Sequence, residues 1–465
     1  MSSDNEQTID PVSLGDAEFR ADYGLKYAYT AGAMYKGIAS EALVIALAKA
    51  SLIGYFGTGG LSLARIDAAI ASIRSQCGPA QPFGMNLLNN IDHPELEDQT
   101  VDLFFAHGVR FVEAAAYTDV KPSVVRFRLR GATRRPDGTV DTPHRVLAKV
   151  SRPEVARAFM SPAPEEMLRL LRDRGQLTAE EAELGRHIPV AGDICVESDS
   201  GGHTDQGVAY ALMPAMRHLR DQMMARHRYG KRIRVGAAGG IGTPEAAAAA
   251  FILGADFITT GSINQCTVEA GTSDSVKEML QEMDVQDTAY APAGDMFETG
   301  AKVQVLRKGV FFPGRANRLF ELYTRYNSLE ELEPQMRRQI EEKYFRRSIE
   351  EVWRETKEYY TRADARFAQS EPSPKRKMAL IFKWYFVHTT RLAMRGADDD
   401  RVNYQIQCGP ALGAFNQWVK GTPLESWRNR HVADIGERIM QGAAAVLAKR
   451  YAAMLRNVRV PASAG

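Results

Sequence analysis

The sequence predicts an α/β fold, a (β/α)8 TIM barrel with an added helical domain, on three observations. Apolar runs of strand length alternate with helical stretches, which favours a parallel sheet, and eight such runs can be counted, which favours closure. The stretch Arg232 to Ser262 reads as strand, glycine loop, helix, strand and second glycine turn, so two consecutive barrel units carry their anion-binding ends side by side. A length of 465 residues accommodates a barrel of roughly 250–300 residues plus an addition.

The expected strands are 27–30, 53–57, 83–88, 110–114, 146–150, 193–197, 233–236 and 257–260. Between the first of them lie the helices 40–51, 63–77 and 95–107, the last with Leu96, Val101, Leu103, Phe104 and Phe105 largely on one side. Two segments interrupt the rhythm. Val124 to Gly138 reads either as an extra hairpin or as a helix followed by the turn Pro136-Asp-Gly138. Ser151 to His187, broken at Ser161-Pro-Ala-Pro164 and Gly175, reads as a helix, a break and a second helical pair. From Leu306 to Ala397 the period is helical, with helices expected at 317–326, 329–342, 348–365 and 375–395. The expected domains are therefore 20–300 for the barrel, 301–400 for the helical part and 401–460 for a C-terminal segment that packs back on the barrel.

Composition narrows the function classes. An apolar fraction of 45% with 25% charged residues is that of a globular protein. No apolar stretch reaches the length of a membrane span, and the polar start Met1-Ser-Ser-Asp-Asn-Glu-Gln lacks signal-peptide character, so a cytoplasmic location is expected. Four cysteines, Cys77, Cys195, Cys266 and Cys408, form no CxxC pair, and no zinc or other metal site is expected. The net charge of +2 conceals a basic segment: residues 301–397 hold 21 Lys/Arg against 12 Asp/Glu. Its runs Arg337-Arg338, Arg346-Arg347 and Lys375-Arg-Lys377 are either solvated helix faces or a surface for an acidic partner or an anionic substrate. They lack a nucleic-acid-binding signature.

Gly239 and Gly240 keep side chains away from backbone N–H groups, and Thr243-Pro244-Glu245 then opens a helix. The next strand ends at Gly261-Ser262, whose N–H groups can serve the same phosphate. This is the place after the seventh and eighth strands of a (β/α)8 barrel where flavin mononucleotide is often held.

Four long motifs carry a family resemblance: Tyr29-Thr-Ala-Gly-Ala-Met-Tyr-Lys-Gly-Ile-Ala-Ser40, Cys195-Val-Glu-Ser-Asp-Ser-Gly-Gly-His-Thr-Asp205, Ala238-Gly-Gly-Ile-Gly-Thr-Pro-Glu245, and the run from Thr260 to Ser273. Together with Gln407-Cys-Gly-Pro-Ala-Leu-Gly-Ala-Phe-Asn416, the sequence resembles the flavin-dependent enoyl reductases that act in trans in polyketide and polyunsaturated fatty-acid biosynthesis, within the wider nitronate monooxygenase-like group of FMN barrels. The resemblance implies bound FMN, an NADPH or NADH electron donor, reduction of the α,β double bond of an enoyl thioester, and a substrate presented on an acyl carrier protein. It leaves the oligomeric state open, a homodimer included.

Site residues follow on that footing. Gly239, Gly240, Gly261 and Ser262 would hold the phosphate, and Gly32, Ala33 and Met34 would allow close approach of the isoalloxazine ring. Lys149 would place positive charge near flavin N1 and O2, Asn86 would hydrogen-bond the ring, and Gly201 and Gly202 would let the His203 imidazole lean over the flavin face. His203 is the expected catalytic residue, giving a proton to the α carbon or polarising the thioester oxygen, and Glu197 and Asp199 either orient it or bind substrate or ions. Two rival readings share these residues: a nitronate-oxidising flavin enzyme, and a flavin-binding scaffold without turnover.

Overall fold

In a computed structural model, the described residues are 8–78, 80–90, 94–363, 367 and 372–457. The chain divides into two compact units, one comprising residues through Asp199, Asp205–Gly271 and the chain from Trp418 onward, the other Ser200–Thr204 with Thr272–Gln417.

The first unit is a closed barrel of eight parallel strands in chain order: Tyr29–Ala31, Ile53–Phe56, Gly84–Leu88, Phe111–Ala115, Arg145–Val150, Asp193–Glu197, Arg234–Ala238 and Ile258–Thr260. The last closes on the first with Tyr29 opposite Ile258. Each strand was expected from sequence within two or three residues. The ambiguous segment after the fourth strand contains both alternatives, a helix Pro122–Leu129 followed by the hairpin Thr133–Arg134 and Val140–Asp141. Residues 151–187 form the helices Pro153–Met160, Glu165–Asp173 and Ala179–Leu184.

The N-terminal end of the barrel is a floor. The helix Ala17–Tyr23, capped by the Asp16 carboxylate on the Phe19 N–H at 2.7 Å, stacks Phe19 on Phe257 at 4.3 Å and Tyr23 on Phe111 at 4.8 Å. Asp193 and Arg234, the first residues of adjacent strands, form a buried two-point ion pair at 2.6 and 3.1 Å, and the Tyr23 hydroxyl donates to Asp193 at 2.8 Å. Asp22 joins this network, bridging Arg234 at 2.8 Å and Arg145 at 3.0 Å. Removing one polar partner from a buried charge costs more than the bond itself contributes. Tyr23→Phe, which keeps the ring and deletes the hydroxyl, is therefore expected to lower unfolding free energy by about 1.5–3 kcal/mol, read from the denaturant midpoint; an unchanged midpoint would show that Arg234 alone satisfies Asp193.

The domain boundaries differ from those expected. The second unit begins at Thr272 rather than at 301, because strands Thr288–Pro292 and Lys302–Leu306 form an antiparallel hairpin that pairs onward to Gly202–His203. No strand was expected there. At the other end, residues 401–417 belong to the second unit, and it is the later helix, Val432–Asn457, that lies on the barrel. That helix places Gly442 where a Cβ would come within 2.6 Å of Pro244, and it pairs Glu437 with Lys26 at 2.7 Å.

Around the second unit's sheet stand the helices Phe312–Arg325, Pro334–Gln339, Ile349–Ala363 and Pro374–Arg395. Their core is aromatic, with Phe297, Phe312, Phe345, Tyr385 and Phe386 all buried. The expected helix 329–342 starts late, because Pro334 takes the first helical position and holds Glu333 extended. It then runs on as wider π-helical turns, Ile340–Phe345, ended by Arg346 in the left-handed region at φ +52°. Similarly, the expected helix 317–326 begins at Phe312, with Pro313 in its first turn. Among the described residues no helix is long and apolar enough to cross a membrane, and no group of three His, Cys, Asp or Glu has metal-binding geometry.

Candidate active site

Strand pleating places the barrel's chemistry at its C-terminal end. Phe111, Leu147 and Cys195 belong to one buried cluster, and two residues further along the same three strands come Glu113, Lys149 and Glu197. Three apolar positions are thus succeeded by a charged layer. Lys149 Nζ lies 3.2 Å from Glu197 Oε1 and 3.6 Å from Glu113 Oε1, while Glu113 Oε2 accepts the Ala33 N–H at 3.1 Å. Burial pushes the fully enclosed Glu113 carboxyl up against the opposing pull of Lys149. Burial likewise works against the Lys149 ammonium, but Glu197 and Glu113 outweigh it and hold it well above its ordinary value. Lys149 is thus a charge held between two carboxylates.

Glu113 also fixes the loop after the first strand. At Gly32 a Cβ would lie 3.3 Å from Glu113 Oε2 and 3.2 Å from the Thr259 methyl, so only glycine lets the chain leave the barrel here without displacing a neighbour. The Gly32 N–H donates to the Thr260 carbonyl at 2.9 Å, tying this loop to the second glycine turn. Asn86 is buried and donates to the Glu113 carbonyl at 3.0 Å, which makes it a strut between neighbouring strands.

The paired glycine turns provide a cradle. Gly239 has φ +86°, and a Cβ there would meet the Ser198 carbonyl oxygen at 2.5 Å. Gly240, at φ +74°, opens onto space with no atom within 4 Å of a Cβ, and Gly261 is equally open. Thr243 Oγ1 caps the following helix, Pro244–Ile252, by accepting the Ala246 N–H at 3.3 Å. At the second turn, the Asn264 amide donates back to the Thr260 carbonyl at 3.1 Å and hydroxyl at 3.0 Å. Beside Gly239, the Ser198 hydroxyl is buried without a hydrogen-bond partner. An orphaned hydroxyl on a residue whose backbone borders an open glycine turn at a helix start fits a phosphate.

The second unit carries the histidine. Gly202 and His203 pair with Gln304 and Val303, and His203 Nε2 lies 2.9 Å from Asp295 Oδ1 in the loop of the 288–306 hairpin. Burial would raise the Asp295 carboxyl, but the His203 hydrogen bond and charge hold it below the usual carboxylate range. The Gly201 backbone packs so tightly on Cys408 and Gly409 that a Cβ would come within 2.6 Å of Cys408. This gives the Gly-Gly-His and Gln-Cys-Gly motifs a shared steric reason.

Glu197 and Asp199 were expected to orient His203 or to bind substrate or ions; in the structure His203 hydrogen-bonds Asp295, and Glu197 pairs with Lys149. Glu113 and Ser198 were also not singled out from sequence. A lone carboxylate in the apolar strand Phe111–Ala115 was the available signal for the first. Of the basic run 375–377, Lys375 donates to the Tyr323 and Tyr326 carbonyls and sits 4.2 Å over the Tyr323 ring, and Lys377 lies 5.1 Å over Trp353; Arg376 is exposed.

Residues 326–404 match a family model described as the inserted helical domain of [acyl-carrier-protein] S-malonyltransferase. The chain is 58% identical over 446 residues to polyketide biosynthesis protein PksE of Bacillus subtilis, covering 96% of this chain and 58% of PksE. It is 43% identical over 438 residues to a polyunsaturated fatty acid synthase subunit of Thraustochytrium, covering 92% of this chain and 29% of that protein. Among solved structures it superposes with a TM-score of 0.91, at 47% identity, on the enoyl reductase domain of MlnA from the macrolactin biosynthesis cluster of Bacillus amyloliquefaciens, covering 95% of this chain and 99% of that domain. The chain spans little more than half, or less, of these two curated relatives and nearly the whole of the MlnA domain, and it belongs to that domain's family, the enoyl reductases of polyketide and polyunsaturated fatty-acid synthase systems.

Proposed function

We propose that this chain is a trans-acting, FMN-dependent enoyl reductase that reduces the α,β double bond of acyl-carrier-protein-bound thioesters with NADPH or NADH as electron donor, in the cytoplasm. The observation that carries the reading is family membership combined with the cradle of open glycine turns beside the orphaned Ser198 hydroxyl.

FMN, when bound, supplies hydride transfer from the nicotinamide to the β carbon of the enoyl group. The N–H groups of Gly239, Gly240, Gly261 and Ser262, with the Ser198 hydroxyl, would hold its phosphate. Gly32, Ala33 and Met34, with the Ala33 N–H held by Glu113, would border the ring, to which Asn86 would supply a hydrogen bond and Lys149 positive charge. Gly201 and Gly202 would set the height of His203. Hydride arrival at the β carbon leaves negative charge on the α carbon and thioester oxygen. The His203 imidazolium would hydrogen-bond that oxygen or protonate the α carbon.

The deciding experiment is anaerobic. Protein purified with its flavin is reduced by NADPH or NADH and then mixed with either an enoyl thioester or a nitronate. Reoxidation by the thioester alone supports this reading; reoxidation by the nitronate alone would make it a nitronate-oxidising enzyme, and absence of reduction by either nicotinamide would favour a scaffold.

Carrier recognition has its own test. Cations in the first turn of a helix oppose its dipole at about 0.3–1 kcal/mol each. In the helix Pro374–Arg395, Lys375 and Lys377 recover this through carbonyl and ring contacts, whereas exposed Arg376 does not. Arg376 and the likewise exposed Arg338 and Arg354 are among the cations of this segment open to an acidic carrier. Reversing all three to Glu is expected to raise KM for carrier-bound substrate roughly tenfold, about 1.5 kcal/mol over three exposed pairs, and to leave a small thioester surrogate unaffected. Equal effects on both, or carrier kinetics indifferent to salt, would place docking elsewhere.

A further inference from the structure

His203 and Asp295 are 92 residues apart in sequence, and the second unit's sheet brings them together. His203 is held in register by Val303, the central strand's partner on the other side is Ala291, and Asp295 follows four residues later in the same hairpin. Three contacts fix that loop. Ala293 N–H donates to the Ala301 carbonyl at 2.8 Å; Gly294 lies so close to Phe386 that a Cβ would approach its Cβ within 2.6 Å; Phe297 anchors the following turn among Phe320, Tyr323 and Phe386. A carboxylate on a mobile loop would meet an exposed histidine in many geometries. Here both backbones are braced.

We infer that Asp295 is a positioning residue that sets the tautomer and proton affinity of His203. The inference deepens the reading above, in which His203 is the proton donor. A carboxylate 2.9 Å from Nε2 keeps a proton on that nitrogen in the neutral ring and stabilises the imidazolium. In the reductive step an N–H bond of the imidazolium breaks, a C–H bond forms at the substrate's α carbon, and a neutral ring remains beside Asp295. No proton passes to the carboxylate. On the surrounding elements, Lys302 lies over Phe320 at 5.6 Å, and Lys383 pairs with Glu298 at 2.6 Å. Both members of the pair are reached by solvent, 50% for the His203 side chain and 66% for Asp295.

The test uses FMN-loaded protein labelled with ¹⁵N in the histidine rings, with His203→Ala assigning the signal. In the wild type, His203 is expected to carry its neutral-state proton on Nε2. In Asp295→Asn its pKa should fall by about 0.5–1 unit and the tautomers should mix, with Asp295→Glu restoring part of the shift. In parallel, the limb of single-turnover enoyl reduction that declines as pH rises should move down by the same interval in Asp295→Asn. Rates would converge at low pH and differ by roughly 3–10-fold above the pKa, with nicotinamide-driven flavin reduction unmoved. An unchanged tautomer and pKa in Asp295→Asn would overturn the inference even if His203 proves essential. If His203→Ala reduces enoyl thioester at the wild-type rate, the donor role itself falls, while the ring titration still decides whether Asp295 controls the imidazole.

Discussion

His203→Ala is expected to retain FMN and to slow reoxidation of the reduced protein by an enoyl thioester about 10²–10⁴-fold, the span typical of a positioned acid or base. The flavin should stay because His203 belongs to the second unit's sheet, whereas the phosphate cradle is built by barrel residues that the substitution leaves in place. Reduction by the nicotinamide should suffer less, since it needs no proton at a substrate carbon. Stopped-flow traces of the two half-reactions separate these effects. His203→Gln sharpens the result: it keeps a hydrogen-bond donor near the same height but cannot deliver a proton at neutral pH. Activity in the glutamine variant close to wild type would assign His203 to thioester polarisation. Wild-type reoxidation rates in both variants would remove the residue from the mechanism.

Much of the barrel was legible because each strand is a short apolar run closed by glycine or polar residues, and because the intervening helices carry their own punctuation. Asp193–Glu197 is bounded as expected, and Thr243-Pro244 opens its helix with a cap and a proline, as read. The second sheet was less visible. Gly202–His203 is two residues long, and Thr288–Pro292 ends in a proline, so neither carries a periodic signal. Lys302–Leu306 does alternate, with Val303 and Val305 buried, but it abuts a strongly helical segment whose period dominates any wider window.

The site divides along the same line. Residues that serve through their backbones, such as Gly239 and Gly240, announce themselves locally, because a positive φ selects glycine. Residues that serve through pairing do not. Asp295 meets His203 only after the hairpin forms, and Glu113 meets Lys149 and Ala33 only in the closed barrel. Lys375 shows the converse. In sequence it is one of three adjacent cations, yet in the fold it caps the end of the helix Phe312–Arg325 and is no part of an exposed charge cluster.

Gly240→Asp is expected to yield protein that folds but purifies without flavin. The two halves of that outcome rest on different observations. Folding should survive because a Cβ at Gly240 meets nothing within 4 Å, and because aspartate is among the residues that tolerate φ near +74°. Flavin should be lost because the open space is the proposed phosphate cradle, where a carboxylate brings both bulk and negative charge against a dianionic group. At about 4–5 Å and an effective dielectric near 20, that repulsion costs about 3–4 kcal/mol per charge pair, enough for two to three orders of magnitude in Kd before sterics are counted. Gly239→Ala provides the contrast. Its Cβ would strike the Ser198 carbonyl oxygen, so it should disturb the fold locally as well as the cofactor. The visible spectrum reads flavin content, and far-ultraviolet circular dichroism with the thermal midpoint reads the fold. A fully flavinated Gly240→Asp protein would show that the phosphate sits elsewhere, and wild-type protein that remains colourless when prepared with FMN would sink the flavin reading altogether.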